Sequence, residues 1–229
     1  MFADDTNQFV KGRNASELIQ LAERETANVL NWCTSNKLSL NIDKSNFSLF
    51  CPLVNDSLID IKEMKTPFGV LSRASFVKYL GVYIEESLTW KKHIEFMCTK
   101  IKKFCGIFYK IRFKIPQKCL KTLYYSLIYP TILYGIEIYA NTKITYLDEL
   151  IKLNNKILRI LQFKDKNTTV QFIYIFSTLM IPELHSFQLL LFAHKFKQCR
   201  NLLPASFTNY FVLNTEIHDY NTRNKTTYM

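Results

Sequence analysis

Seven apolar side chains between positions 94 and 111 recur at helical steps: Ile94, Met97, Ile101, Phe104, Cys105, Phe108 and Ile111. A strand would bury every second residue, whereas this spacing gathers all seven on one side of a 3.6-residue repeat. Lys92, Lys103, Lys110 and Lys114 fall on the opposite side. The segment therefore has to form an amphipathic helix with one dry face and one cationic face. The dry face demands a second layer to pack against, so the chain must build a helical core around it. Residues 91–121 hold ten Lys and Arg against the single acid Glu95, a local net charge of +9 within a chain total of +11. Aromatic residues are woven through that stretch. Two readings stand: a surface for a polyanion, or a solvated lysine face.

The rest of the chain divides around this helix. Pro116 predicts the start of a second helix, residues 144–162 a third with Leu147, Ile151, Leu158 and Leu161 as its stripe, and residues 172–200 one or two more, broken near Pro182. Upstream the pattern is mixed. A helix is predicted over 15–36, capped by Asn14 or Ser16, with Leu18, Ile19, Ala22, Val29, Leu30 and Cys33 on the face that packs onto a sheet. Short strands are predicted near 47–51 and within 55–65. The stretch FVKYLGVYIEESLTW reads as a strand entering a turn, with Gly81 at a bulge or a close backbone approach. Residues 1–10 read as part of a hairpin, with Asp4-Asp5 at the turn and 6–10 entering a second strand. The fold class is α+β: a small antiparallel sheet unit over 1–90, a helical bundle over 91–203 and a polar tail over 204–229.

Several functional classes fall away on composition. The six cysteines include no Cys-x-x-Cys pair and no Cys–His grouping at zinc-finger spacing. No secretory signal opens the chain, which predicts an intracellular setting, nucleus or cytoplasm. The charge-free runs at 122–136 and 168–182 are fifteen residues each. Both are shorter than the ~20 residues that cross a bilayer, so buried helices rather than membrane spans are expected.

The chemistry lies at the start. Adjacent carboxylates on a tight turn are good oxygen ligands for Mg²⁺, and a pair of such ions can activate a hydroxyl and stabilise a departing pyrophosphate. A lone Asp-Asp is also an ordinary turn. The order of features is more telling. Phe2-Ala3-Asp4-Asp5, an amphipathic helix, LSLNIDKS, FVKYLGVYIEESLTW, a basic helix, LKTLYYSLIYPTILYGIEIYA and HDYNTRNK follow one another over nearly the whole chain. This order resembles the C-terminal part of reverse transcriptases from non-LTR retrotransposons of the jockey and LINE kind.

The resemblance implies an RNA-directed DNA polymerase, a nucleotidyltransferase of a mobile element, with an RNA template and a DNA primer as partners and Mg²⁺ as cofactor. Asp4 then corresponds to the metal-ligating carboxylate. Asp5 is a second ligand or an electrostatic support, or else a turn residue. Phe2 stands where many relatives carry Tyr, beside the primer end or the nucleotide. Lys44 matches a loop lysine placed to stabilise or protonate the leaving pyrophosphate, or else is a plain surface lysine. Tyr79, Leu80 and Gly81 match the primer-grip strand. Lys92, Lys103, Lys110 and Lys114 belong to a thumb helix that tracks a duplex. Arg223 and Lys225 are either RNA contacts or part of a disordered tail. In the family a further metal-binding strand, the rest of the palm and the fingers precede the Asp-Asp turn, so the resemblance implies a truncated palm. The 229 residues alone are expected to lack polymerase activity; the alternative is a non-catalytic nucleic-acid-binding remnant that uses 91–121.

Overall fold

A computed structural model describes residues 6–12, 14–50, 61–169 and 179–199, together with Leu202, Pro204 and Phe207. Phe2, Asp4, Asp5, Arg223 and Lys225 lie outside the described residues. The chain is α+β and forms two compact units, 1–99 with 142–146 and 100–141 with 147–229.

In the first unit, α1 (Ala15–Ser35) follows Asn14 and packs on β2 (Glu63–Thr66). The Lys65 N–H donates to Glu23 Oε1 at 3.2 Å and fixes the helix against the strand. β2 pairs antiparallel with β3 (Gly69–Arg73), and Met64 and Leu71, partners in that register, are both buried. The predicted strand near 47–51 shrinks to β1 (Asn46–Phe47), after a 3₁₀ turn over Ile42–Lys44. β1 pairs parallel with β3, so this sheet is mixed rather than antiparallel, in the order β1–β3–β2. Residues 6–10, expected to begin a strand, have no regular structure. Arg73 and Glu86 form a two-pronged ion pair, at 2.6 and 3.0 Å, and a further Arg73 nitrogen donates to the Ile61 carbonyl at 3.0 Å.

The stretch read as one strand is two. β4 (Phe76–Tyr79) and β5 (Val82–Glu85) pair antiparallel around Leu80 and Gly81. Leu80 has φ 46° and Gly81 φ 84°. Left-handed angles at both central residues are the mark of a type I′ turn, which matches the twist of the flanking strands. Gly81 is therefore a turn residue, not a bulge. Leucine is poorly suited to the first position, where Asn or Asp is favoured, because its Cβ crowds the following carbonyl oxygen. Leu80→Asn is expected to stabilise the first unit by about 0.5–1 kcal/mol; a chemical-denaturation midpoint that does not rise would contradict the turn assignment.

Among the described residues, all the regular structure of the second unit is helical. α2 (Lys91–Ile111) enters it from residue 100 onward, followed by α3 (Gln117–Leu123), a π-helical turn over Tyr124–Ile128, α4 (Tyr129–Leu133), α5 (Ile136–Tyr139), α6 (Ile144–Leu161) and α7 (Ile181–Gln198). The core is built from Ile101, Phe108, Leu120, Ile128, Ile132, Ile136, Leu150, Ile157 and Leu158, all essentially solvent-free. Pro130 accounts for the π turn. It has no N–H for the carbonyl four residues back and its ring crowds that carbonyl, so the preceding turn widens. The Tyr129 N–H donates instead to the Tyr124 carbonyl. Tyr124 points inward and its hydroxyl donates to Asn154 Oδ1 at 2.9 Å. Gly135, with φ 71°, turns the chain between α4 and α5. The uncharged run at 122–136 is thus a series of short helical turns that bury Tyr124, Ile128, Ile132 and Ile136 and leave Leu127 and Tyr134 exposed. Pro182 occupies the first turn of α7, as its missing N–H allows, and residues 170–178, where a helix before it is expected, lie outside the described residues. Among the described residues no helix is long and apolar enough to cross a membrane.

Candidate nucleic-acid interface

α2 forms because its apolar residues fall on one stripe, and that stripe is where the burial lies. Ile94, Met97, Ile101 and Phe108 are buried, and Phe104, Cys105 and Ile111 are half-buried. The cations follow. Within the second unit Lys103 and Lys110 are exposed on the outer face, about 10 Å apart along the axis at 1.5 Å per residue. Lys114 continues the line just past the helix end and is also exposed. None of these three ammonium groups has an ion-pair partner among the described residues. Lys102, one step off the line, reaches Glu149 of α6 at 2.6 Å. Lys92, at the head of α2 in the first unit, lies 3.7 Å from Glu95 and 5.5 Å from the centre of the Phe76 ring. Its charge is partly answered where it sits.

Between Lys103 and Lys110 the outer face carries Gly106. A methyl group added there would meet nothing within 4 Å, so no packing within the molecule requires glycine. Glycine inside a helix costs about 0.5–1 kcal/mol relative to alanine. Gly106→Ala is therefore expected to raise stability by that amount, read as a higher thermal midpoint. It also adds a methyl to a surface where a phosphate backbone could lie directly on the helix, so duplex affinity is expected to fall several-fold in the same variant.

The end of α2 holds an arrangement that residue spacing did not single out. The Arg112 guanidinium lies 4.2 Å from the centre of the Tyr109 ring and 4.5 Å from that of Phe113. Phe113 in turn meets Phe163, at 5.2 Å between centroids, from the segment after α6. The local signal was the alternation of ring and cation in YKIRFK; its partner Phe163 is fifty residues away.

The residues matched to polymerase roles are placed as follows. Lys44 is exposed at the end of the 3₁₀ turn, where its N–H donates to Asn41 Oδ1 at 3.2 Å. Tyr79 ends β4, half-buried, with its ring edge-on to Phe9 at 5.4 Å. Leu80 is exposed at the turn tip beside Gly81. Among the described residues no hydrogen bond, ion pair or ring contact joins Lys44 to Tyr79. No three His, Cys, Asp or Glu side chains among the described residues lie together in a way that could hold a metal ion. The carboxylates assigned to Mg²⁺, Asp4 and Asp5, are outside that set. An open groove of the first unit, between α1 and the end of β2, is lined by Glu17, Glu23 and Arg24 with Lys11 and Lys65. Its mixed charges do not suit a polyanion.

No family model matches this chain, and neither any curated protein nor any solved structure matches it.

Proposed function

We propose that the chain binds nucleic acid through the outer face of α2, as part of an RNA-directed DNA polymerase of the non-LTR retrotransposon kind. Its partners would then be an RNA template and a DNA primer, with Mg²⁺ held at Asp4 and Asp5 in the polymerase. The observation that carries the binding reading is the line Lys103–Lys110–Lys114: three exposed cations, unanswered by any described acid, on a helix whose opposite face is dry. The polymerase reading rests in addition on the order of motifs from Phe2 to Lys225 and is in keeping with an α+β unit followed by helices.

Phosphate contacts of this kind position a duplex without reading its sequence. Each one releases counterions, so affinity falls linearly with salt on logarithmic axes. An anisotropy titration of a labelled RNA–DNA duplex from 50 to 200 mM salt tests this. A slope of about −3 or steeper is expected if at least three phosphates are contacted; a flat response would overturn the reading. Primer extension on an RNA template with Mg²⁺ tests catalysis separately. No synthesis is expected from these 229 residues alone, and synthesis that Asp4→Ala abolishes would assign the polymerase step to this chain.

A further inference from the structure

We propose that Tyr109, Arg112, Phe113 and Phe163 form a stacking platform for unpaired nucleotides of single-stranded nucleic acid, next to the phosphate-tracking line of α2 and resting on the binding reading above. The rings are on the surface: Phe113 is 74% exposed, Tyr109 58% and Phe163 44%. Other apolar side chains of this unit are exposed too, Ile107, Tyr134 and Leu190 among them, but these three rings are set around a guanidinium. They are also held in place. The Arg112 guanidinium lies against both Tyr109 and Phe113, and Phe113 lies against Phe163. The rings are thus pre-ordered, so little side-chain entropy is lost when a further planar group is added.

Charge names the occupant. The two segments that supply the rings, 109–114 and 163–166, carry Lys110, Arg112, Lys114, Lys164 and Lys166 against the single acid Asp165. Rings that offer flat apolar faces, set among cations, fit a ligand with planar faces and a polyanionic backbone. In a duplex the base faces are covered by their neighbours, and a protein meets chiefly phosphates. Bases of an unpaired strand are free to stack on aromatic rings and on guanidinium planes, irrespective of sequence. The platform therefore selects for strand state, and the lysines Lys110 and Lys114 serve both it and the duplex line.

Three labelled probes of equal length test this by anisotropy with the full chain: a single strand of mixed sequence, the same strand with abasic positions at its centre, and an RNA–DNA duplex. The variant is Tyr109→Leu/Phe113→Leu, which keeps apolar bulk at exposed positions and is checked for an unchanged melt. The wild-type chain is expected to bind the intact strand at least ten-fold more tightly than the abasic one, in line with the stacking contribution per base. The variant is expected to lose roughly that factor for the intact strand, with less than a two-fold change for the abasic strand and the duplex. Equal loss on all three probes, or no loss on the single strand, overturns the platform and leaves the duplex line intact. Duplex binding that fails in the wild type while the intact strand still binds by stacking overturns the duplex reading and keeps the platform. A variant that changes sedimentation from dimer to monomer without changing strand affinity also overturns it, since the rings would then face a second copy of this chain.

Discussion

Neutralising the line on α2, with Lys103→Gln, Lys110→Gln and Lys114→Gln together, is expected to weaken duplex binding by about 100- to 1000-fold at 0.1 M salt and to make the salt slope shallower by about 3. The size follows from counterion release. Each phosphate contact contributes close to 0.9 to the slope for a duplex, and at 0.1 M each such contact is worth nearly a factor of ten in affinity. The fold should tolerate the change. All three side chains are exposed and none is ion-paired to a described acid, and glutamine has nearly the helix propensity of lysine. Lys152→Gln on α6 serves as the control. That lysine is 75% exposed and already paired with Asp148 at 2.5 Å, so its loss should leave the slope unchanged. If the triple variant keeps the wild-type slope, the phosphates are held elsewhere and α2 is a solvated face. If it loses affinity with an unchanged slope, the lysines act through folding rather than through counterions.

What could be read ahead of the structure depended on whether the determining contacts were local. The helices were legible because a 3.6-residue stripe records its own buried face, and Ile94, Met97, Ile101 and Phe108 are buried as their spacing required. The cationic face came with it. The β4–β5 hairpin was hidden because the usual signal of a type I′ turn is Asn-Gly or Asp-Gly, and here leucine holds the first left-handed position. A run of β-formers around Leu-Gly therefore read as one strand with a bulge. The parallel pairing of β1 with β3 joins Asn46 to Ser72, and two residues are too few to carry a pattern. The aromatic platform depends on Phe113 meeting Phe163 across two helices, a contact that no local window contains. Asp4 and Asp5 remain where the sequence left them, carried by the motif order alone.

Acid is expected to unfold the first unit early, through His93. This residue lies in the first turn of α2, is 2% exposed, and accepts a hydrogen bond at Nδ1 from the Tyr83 N–H at 3.4 Å. Above it the Tyr83 ring packs against Phe76 and Phe96. Burial strips the imidazolium of water and lowers the pKa of His93 from its ordinary 6.5 to about 4. The native state therefore binds the proton less readily than the unfolded chain. Between pH 6.5 and 4 the unfolded chain carries the extra proton, so stability rises with pH in that window. The contribution of the neutral histidine is complete above about pH 6.5 and is lost as pH falls toward 4, amounting to about 3 kcal/mol. Protonation would also turn the Nδ1 acceptor into a donor facing the Tyr83 N–H. Carboxylates titrate in the same range, so the measurement has to be a difference. The unfolding free energy of the wild type minus that of His93→Gln, which cannot take up the proton, should fall by about 3 kcal/mol between pH 7.5 and pH 4, whatever its value at neutral pH. Curves that stay parallel would mean that water reaches His93 in the folded chain and that its burial against β5 is not the seal between the hairpin and the head of α2.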